Sequence, residues 1–426
     1  MRWFPALLGL FMALVLSKLG NPIIFNDISQ PPSNFWEFVL TVWPPTWGFF
    51  LLVPIVIFAL VNARFQTLSP SWIAWLPLAW LLWALFSCAN SVAPPLSRLT
   101  IQHFAASIFL FYVGLFALGR IQPAAAFWRI MIASFLFILW MGWDQHYGGL
   151  EATRKMFLES GSAQNLSPEY RLRLESNRIF STFVYPNAYA GALILWGPVL
   201  TVALWQWLVR APSLVQKVAV GLLAYTTAAS LVWTGSKAGW LIALAMAAVA
   251  LLHLKMSKSL KLGVIAAVIV LGLAAFAVKY RGYFQKGATS ASARVIYWKA
   301  ALQIAGEHPV LGAGPGTFAK TFSPIKPPEA EMARLTHNDY LEQASDSGWP
   351  AFILYLSFIS AALVLSHRAV HQSPLHFAAW LGVFGWSLQS FVEFGLYIPA
   401  IAWSAFLVLG WLLSSRIAID TPPASK

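Results

Sequence analysis

The chain has 426 residues, of which 59% are hydrophobic and only 10% charged, and it carries 22 tryptophans. A soluble domain holds about 25% charged residues, so this composition excludes an ordinary soluble globular protein. The formal net charge of +13 would suggest nucleic acid in a soluble chain; in a chain this apolar it reads as topogenic charge and attraction to anionic lipid.

Apolar windows of about 18 residues or more recur along the whole length, the signature of transmembrane helices. Taken in order, candidate spans fall near 3–20, 42–62, 71–89, 101–119, 127–144, 186–208, 216–234, 237–254, 260–279, 349–366, 375–393 and 396–414. The first could pass for a signal peptide, but Ser17, Lys18 and Leu19 make a poor cleavage site and many spans follow, so it reads as retained. The expected architecture is all-α: one polytopic membrane domain over 1–426 with about twelve crossings. No internal repeat is visible, and the polar tail 419–426 is expected to be disordered. Cys88, the single cysteine, excludes an intramolecular disulfide and reads as a structural thiol.

Basic residues set the orientation. With the N-terminus inside, Arg64, Arg120, Arg129, Arg210, Lys217, Lys255, Lys258, Lys261, Arg368 and Arg416 all fall on the inner side. The opposite short loops hold little: Asp27, Glu37, Arg98, Lys237 and Glu393. Both termini are then cytoplasmic, and two long loops, 145–185 and 280–348, face outward.

The second of these loops is the polar centre of the sequence, and long ordered loops are more often functional than not. Within 292–309, Val295, Trp298, Leu302 and Ala305 recur at helical spacing, with Arg294, Gln303 and Glu307 on the other side. This predicts an amphipathic helix at the outer interface, tryptophan toward lipid and Arg294 toward the polar side. Arg294 could also do no more than contact headgroups. The cluster Gly312-Ala-Gly-Pro-Gly316 has no preceding strand and no following Gly-Lys-Ser/Thr, so it reads as a tight turn and not a phosphate loop. Thr336-His-Asn-Asp339 fits a capping box with Thr336 at the N-cap. A helix over 337–347 would follow, closed by Gly348, with Pro350 opening the next span. His337 would then sit in the first helical turn, where the dipole favours an anion and a neutral imidazole; a lone histidine is otherwise most often structural.

Two more outward stretches contribute. Residues 177–187 lead into the sixth span and place Arg178 and Asn187 at its outer mouth. Residues 234–240 form a short turn with Lys237 at or just below the surface, either a functional cation or one that snorkels to headgroups. Three cations from separate segments, beside a histidine, suit a multiply charged anion such as a lipid-linked pyrophosphate.

The series RIFSTFVYPNAYAG, TGSKAGW, R-x-x-x-W with HPVLGAGPGTF, and HNDYLEQASDSG resembles the O-antigen ligase and polymerase family of bacterial envelope glycosyltransferases, over about residues 177 to 395. The resemblance implies an all-α, glycosyltransferase C-like fold with a large periplasmic loop carrying short amphipathic helices, in the bacterial inner membrane. It implies transfer of a glycan from undecaprenyl pyrophosphate to an acceptor at the periplasmic face, with inversion and without cofactor or metal. Lipid A-core is the expected acceptor of a ligase. An O-antigen or exopolysaccharide polymerase and a protein O-oligosaccharyltransferase share that donor, and a polysaccharide-lipid transporter or flippase is the non-enzymatic alternative. Carried over, the catalytic set is His337, Arg294 and Lys237; to these we add Arg178, Asn187, Asn338 and Glu393 as expected substrate-binding residues, with Glu393 also a second candidate base. Two positions depart from the pattern: Lys237 stands where the family has arginine, and Trp-Pro-Ala-Phe follows Gly348 in place of a threonine pair.

Overall fold

A computed structural model describes residues 3–26, 31–62, 70–120, 124–151, 154–155, 176–285, 287–371 and 373–416. Most of the first long loop and the tail 419–426 lie outside the described residues. The described chain is helical, with no strand and one isolated parallel bridge between Gly20 and Phe183. Its helices are α1 (Phe4–Lys18), α2 (Phe35–Leu40), α3 (Trp47–Asn62), α4 (Trp72–Ser87), α5 (Pro94–Phe116), α6 (Ala125–Asp144), α7 (Pro186–Trp207), α8 (Ser213–Trp233), α9 (Lys237–His253), α10 (Lys258–Lys279), α11 (Arg281–Gln285), α12 (Thr289–Glu307), α13 (Phe318–Ile325), α14 (Asp339–Ser366), α15 (Pro374–Gln389) and α16 (Pro399–Leu413). Among the described residues, seven helical stretches are long and apolar enough to cross a membrane, and four shorter ones are apolar as well. Together with α15, they fall at each of the twelve expected spans. The protein is an all-α polytopic membrane protein.

The centre of the bundle is α16, every residue of which is buried. It packs against α5 so closely that a Cβ on Gly114 would lie 2.1 Å from the Leu407 carbonyl oxygen, and one on Gly410 would lie 1.9 Å from that of Phe111. Small residues at such crossings let two backbones meet, which is how helices gain packing energy where no hydrophobic drive separates them from lipid. At the periphery the pattern reverses: no residue of α10 is buried. A helix apolar on all sides and unburied by protein is one solvated by lipid tails.

Gly348 divides α14. Its φ of 78° and ψ of 174° break the helix, leaving a polar half at 339–347 and an apolar half that begins where the tenth span is expected. The polar half is almost wholly buried, including Asp339, Glu342, Gln343, Ser345, Asp346 and Ser347. It is the element on which the candidate site is built.

Candidate functional site

The chain entering α14 is fixed by side-chain hydrogen bonds that differ from the expected capping box. The N-cap is Asn338, whose side chain accepts from the backbone N–H groups of Tyr340 (3.1 Å) and Leu341 (3.0 Å). Thr336, expected at the N-cap, is held two residues earlier: its N–H and hydroxyl both donate to Glu342 Oε2, at 2.6 and 2.7 Å. The reach-back carboxylate is therefore Glu342 and not Asp339. Asp339 instead accepts from the Leu396 N–H at 3.0 Å, tying the helix start to the turn before α16. His337 consequently stands one residue ahead of the N-cap and outside the first helical turn. It adopts a left-handed φ of 54°, a conformation uncommon for a residue with a Cβ.

The glycine cluster wraps the far end of the same polar segment. The N–H of Gly314 donates to the Asp346 carbonyl oxygen (2.8 Å), and that of Gly316 to its carboxylate (2.6 Å), which also accepts from the Tyr397 hydroxyl (2.8 Å). Positive φ at Gly312, Gly314 and Gly316 turns the backbone around this side chain. The cluster is a tight turn, as expected, and the group it encloses is the protein's own Asp346 carboxyl.

Arg294 is delivered by α12. The buried face of this helix is Tyr297, Ala300, Ala301, Ile304 and Ala305, whereas Val295 and Leu302 remain exposed. Trp298, expected to point toward lipid, is half-buried, and its indole N–H donates to the His337 carbonyl oxygen at 3.4 Å. The spacing alone could not choose between adjacent apolar stripes. The choice follows from α13, whose Phe318 and Phe322 complete a small core with Tyr297 and Ile304.

Five of the expected residues meet in one network around Glu393. Its Oε1 accepts from Arg294 Nη2 and, at 2.6 Å, from Asn187 Nδ2; its Oε2 lies 3.3 Å from His337 Nδ1. Asn187 Oδ1 accepts from Arg178 Nη2 at 2.6 Å. Backbone carbonyls hold the two guanidinium groups from behind: Arg178 Nε donates to Thr234 (2.6 Å) and Arg294 Nε to Val392 (2.8 Å). Burial alone would raise the Glu393 carboxyl, but Arg294 and His337 outweigh it and hold the group below its ordinary value. Burial pulls the Arg178 guanidinium down, with Glu393 opposing.

Lys237 and Asn338 stand outside these hydrogen bonds. Ser236 caps α9 by accepting from the Gly239 N–H at 3.1 Å. Lys237 follows it, with Nζ 3.9 Å from the Tyr283 ring centroid and 5.1 Å from that of Tyr280. The buried Tyr280 hydroxyl has no hydrogen-bond partner. Asn338 gives its side-chain oxygen to the helix cap. Tyr280, Tyr283 and Thr234 were not singled out from sequence; two tyrosines directly after an apolar span were the available signal. Among the described residues no group of three His, Cys, Asp or Glu side chains is arranged to hold a metal ion.

Against known protein families, residues 221–356 match the family described as O-antigen ligase. No curated protein matches the chain. The matched segment contains Lys237, Arg294 and His337, whereas Arg178, Asn187 and Glu393 reach the same network from outside it. Over residues 221–356 the chain is thus similar to the O-antigen ligase family, whose members are membrane glycosyltransferases.

Proposed function

We propose that the protein transfers a glycan from undecaprenyl pyrophosphate to an acceptor hydroxyl, lipid A-core in the ligase reading, on the periplasmic side of the bacterial inner membrane. The observation that carries this reading is the convergence of Arg178, Asn187, Arg294, His337 and Glu393 from four separate stretches of chain. Lys237 and the unpartnered Tyr280 hydroxyl border the same network. Arg294 and, through Asn187, Arg178 meet one carboxylate, and Lys237 stands beside them, an excess of positive charge suited to a pyrophosphate diester. Arginine offers parallel N–H donors to phosphate oxygens, and lysine a point charge.

In this reading the acceptor oxygen attacks the anomeric carbon from the face opposite the pyrophosphate. The bond from that carbon to the pyrophosphate oxygen breaks, its electron pair leaves on the pyrophosphate, and the configuration inverts. Arg294, Arg178 and Lys237 stabilise the charge that develops on the leaving group. The acceptor proton passes to His337. With His337 Nδ1–H donating to Glu393, the lone pair lies on Nε2, so the carboxylate fixes the tautomer and orients the ring.

The test is transfer by purified protein supplied with undecaprenyl-pyrophosphate glycan and lipid A-core, comparing wild type with His337→Ala and Arg294→Ala. Loss of a positioned base costs roughly 10²–10⁴-fold, and loss of a charge-stabilising donor about 10²–10³-fold. Core modification by the wild type, lost in both variants, supports the ligase reading. Extension of the lipid-linked glycan without core modification moves the assignment to a polymerase, and transfer to a protein acceptor to an oligosaccharyltransferase. Flipping of the lipid without any transfer overturns the enzyme.

A further inference from the structure

The end of the bundle remote from the candidate site contains a second basic feature. Helix α7 starts beside Asn187 and runs for 22 residues, which carries it roughly 30 Å away at 1.5 Å per residue. There its closing turn, Leu208–Arg210, lies beside the opening of α6. Between them is a cavity of about 380 Å³ whose lining includes Trp128, Arg129, Ile132, Gln206, Trp207 and Arg210.

Three features specify what this cavity would hold. Arg129 and Arg210 are both exposed and form no ion pair or hydrogen bond with a described residue, so among the described residues two positive charges are left uncompensated. The Arg129 guanidinium is held 5.4 Å from the Trp207 ring centroid, an arrangement that orders the cation without neutralising it. The first turn of α6 opens into the cavity at Ala125, and Ala124 ahead of it provides no side-chain cap. Free N–H groups at that turn favour an anion.

The remaining lining separates a lipid from a soluble anion. Trp128 is buried and Trp207 is 46% exposed, the amphipathic rings that proteins place at headgroup level. One turn deeper than Arg129, Ile132 gives the cavity an apolar wall. A free phosphate has no use for that wall; an acyl chain below a phosphate does. Basic pockets between transmembrane helices on the cytoplasmic side hold anionic headgroups for this reason.

We propose that this cavity is a binding site for the phosphate headgroup of an anionic phospholipid, held by Arg129 and Arg210. It does not depend on the transferase reading.

The test titrates the purified full-length protein in detergent with dioleoyl phosphatidylglycerol and reads retained lipid by native mass spectrometry. Phosphatidylcholine and inorganic phosphate serve as comparators. The variant Arg129→Gln/Arg210→Gln should bind phosphatidylglycerol at least about tenfold more weakly. Arg129→Lys/Arg210→Lys should recover most of that loss, and Lys255→Gln/Lys258→Gln, elsewhere on the same side, should leave binding unchanged. If the double glutamine variant does not purify, Arg210→Gln alone should still show a loss of about threefold or more. Equal retention of the two phospholipids overturns the proposal, as does equal loss in the lysine control. Displacement by millimolar inorganic phosphate overturns the lipid source and points to a soluble oxyanion.

Discussion

Glu393 accepts from Asn187 and Arg294 and faces His337, so one carboxylate sets the position of three neighbours. Removing it leaves a guanidinium that is only 17% exposed without its counter-charge. Breaking a buried pair in this way costs about 3–5 kcal/mol, and the lower end applies because Arg294 retains its bonds to Val392 and Ser290. Glu393→Ala should therefore lower thermal stability and abolish transfer together. Glu393→Gln keeps the shape and should retain the fold while the rate falls, because an amide cannot anchor the His337 tautomer as a carboxylate does. Unchanged kcat in Glu393→Gln would remove the positioning role. The pH dependence has a definite sign. Glu393 is held below its ordinary value of 4.5, so its stabilisation is fully present above that value and lost as the pH falls through its lower folded value. Unfolding followed against pH should show the Glu393 contribution only on the acid side of 4.5, and a change in the rate between about pH 5 and 8 must come from another group.

The polar half of α14 shows what was legible in the sequence at the level of elements. Thr336 and Gly348 marked the start and end of this helix to within two residues, because capping side chains and glycine terminators act locally. The expected cap, Thr336, is displaced by Asn338, an equally competent cap type, because Glu342 in three dimensions draws Thr336 to itself. Likewise, the positions of the apolar helices were legible because each is a local run of apolar residues. The Glu393 network was not, because its bond to Arg294 joins positions 99 apart in the chain. Two substitutions test the element. Asn338→Ala should cost about 1 kcal/mol of stability and lower transfer by displacing His337, whereas Asn338→Asp, a competent cap, should restore both. A raised KM for the donor in a stable Asn338→Asp protein would instead make this side chain a substrate contact. Gly348→Ala places a methyl 2.2 Å from the Val310 carbonyl oxygen at a φ of 78°. Thermal melting should register a loss of about 1–3 kcal/mol or more, with transfer falling as the polar helix shifts beneath His337.

At the scale of the whole molecule, one alternation of sides accounts for both charged regions. Helix α7 runs from Asn187 to the Arg210 turn, α8 returns to Lys237, α9 leads to Lys255 and Lys258, and α10 returns to Tyr280 and Arg294. The apolar half of α14 and then α15 add a further crossing and return, which brings Glu393 back to the side of His337. Every residue of the candidate network thus falls on one side, and Arg129, Arg210 and the lysine cluster fall on the other. The basic bias predicts a cytoplasmic position for the latter. The prediction turns on α10, the single crossing between the exposed residues Ser257 and Ser292. In a Cys88→Ser background, Ser292→Cys should react with a membrane-impermeant maleimide in intact spheroplasts, and Ser257→Cys only after the membrane is permeabilised. The reverse pattern would turn the protein over and leave a periplasmic pyrophosphate donor without access to Arg294. Labelling of both sites in sealed spheroplasts would mean that α10 does not cross, and the lipid-facing role of its unburied surface would fall with it.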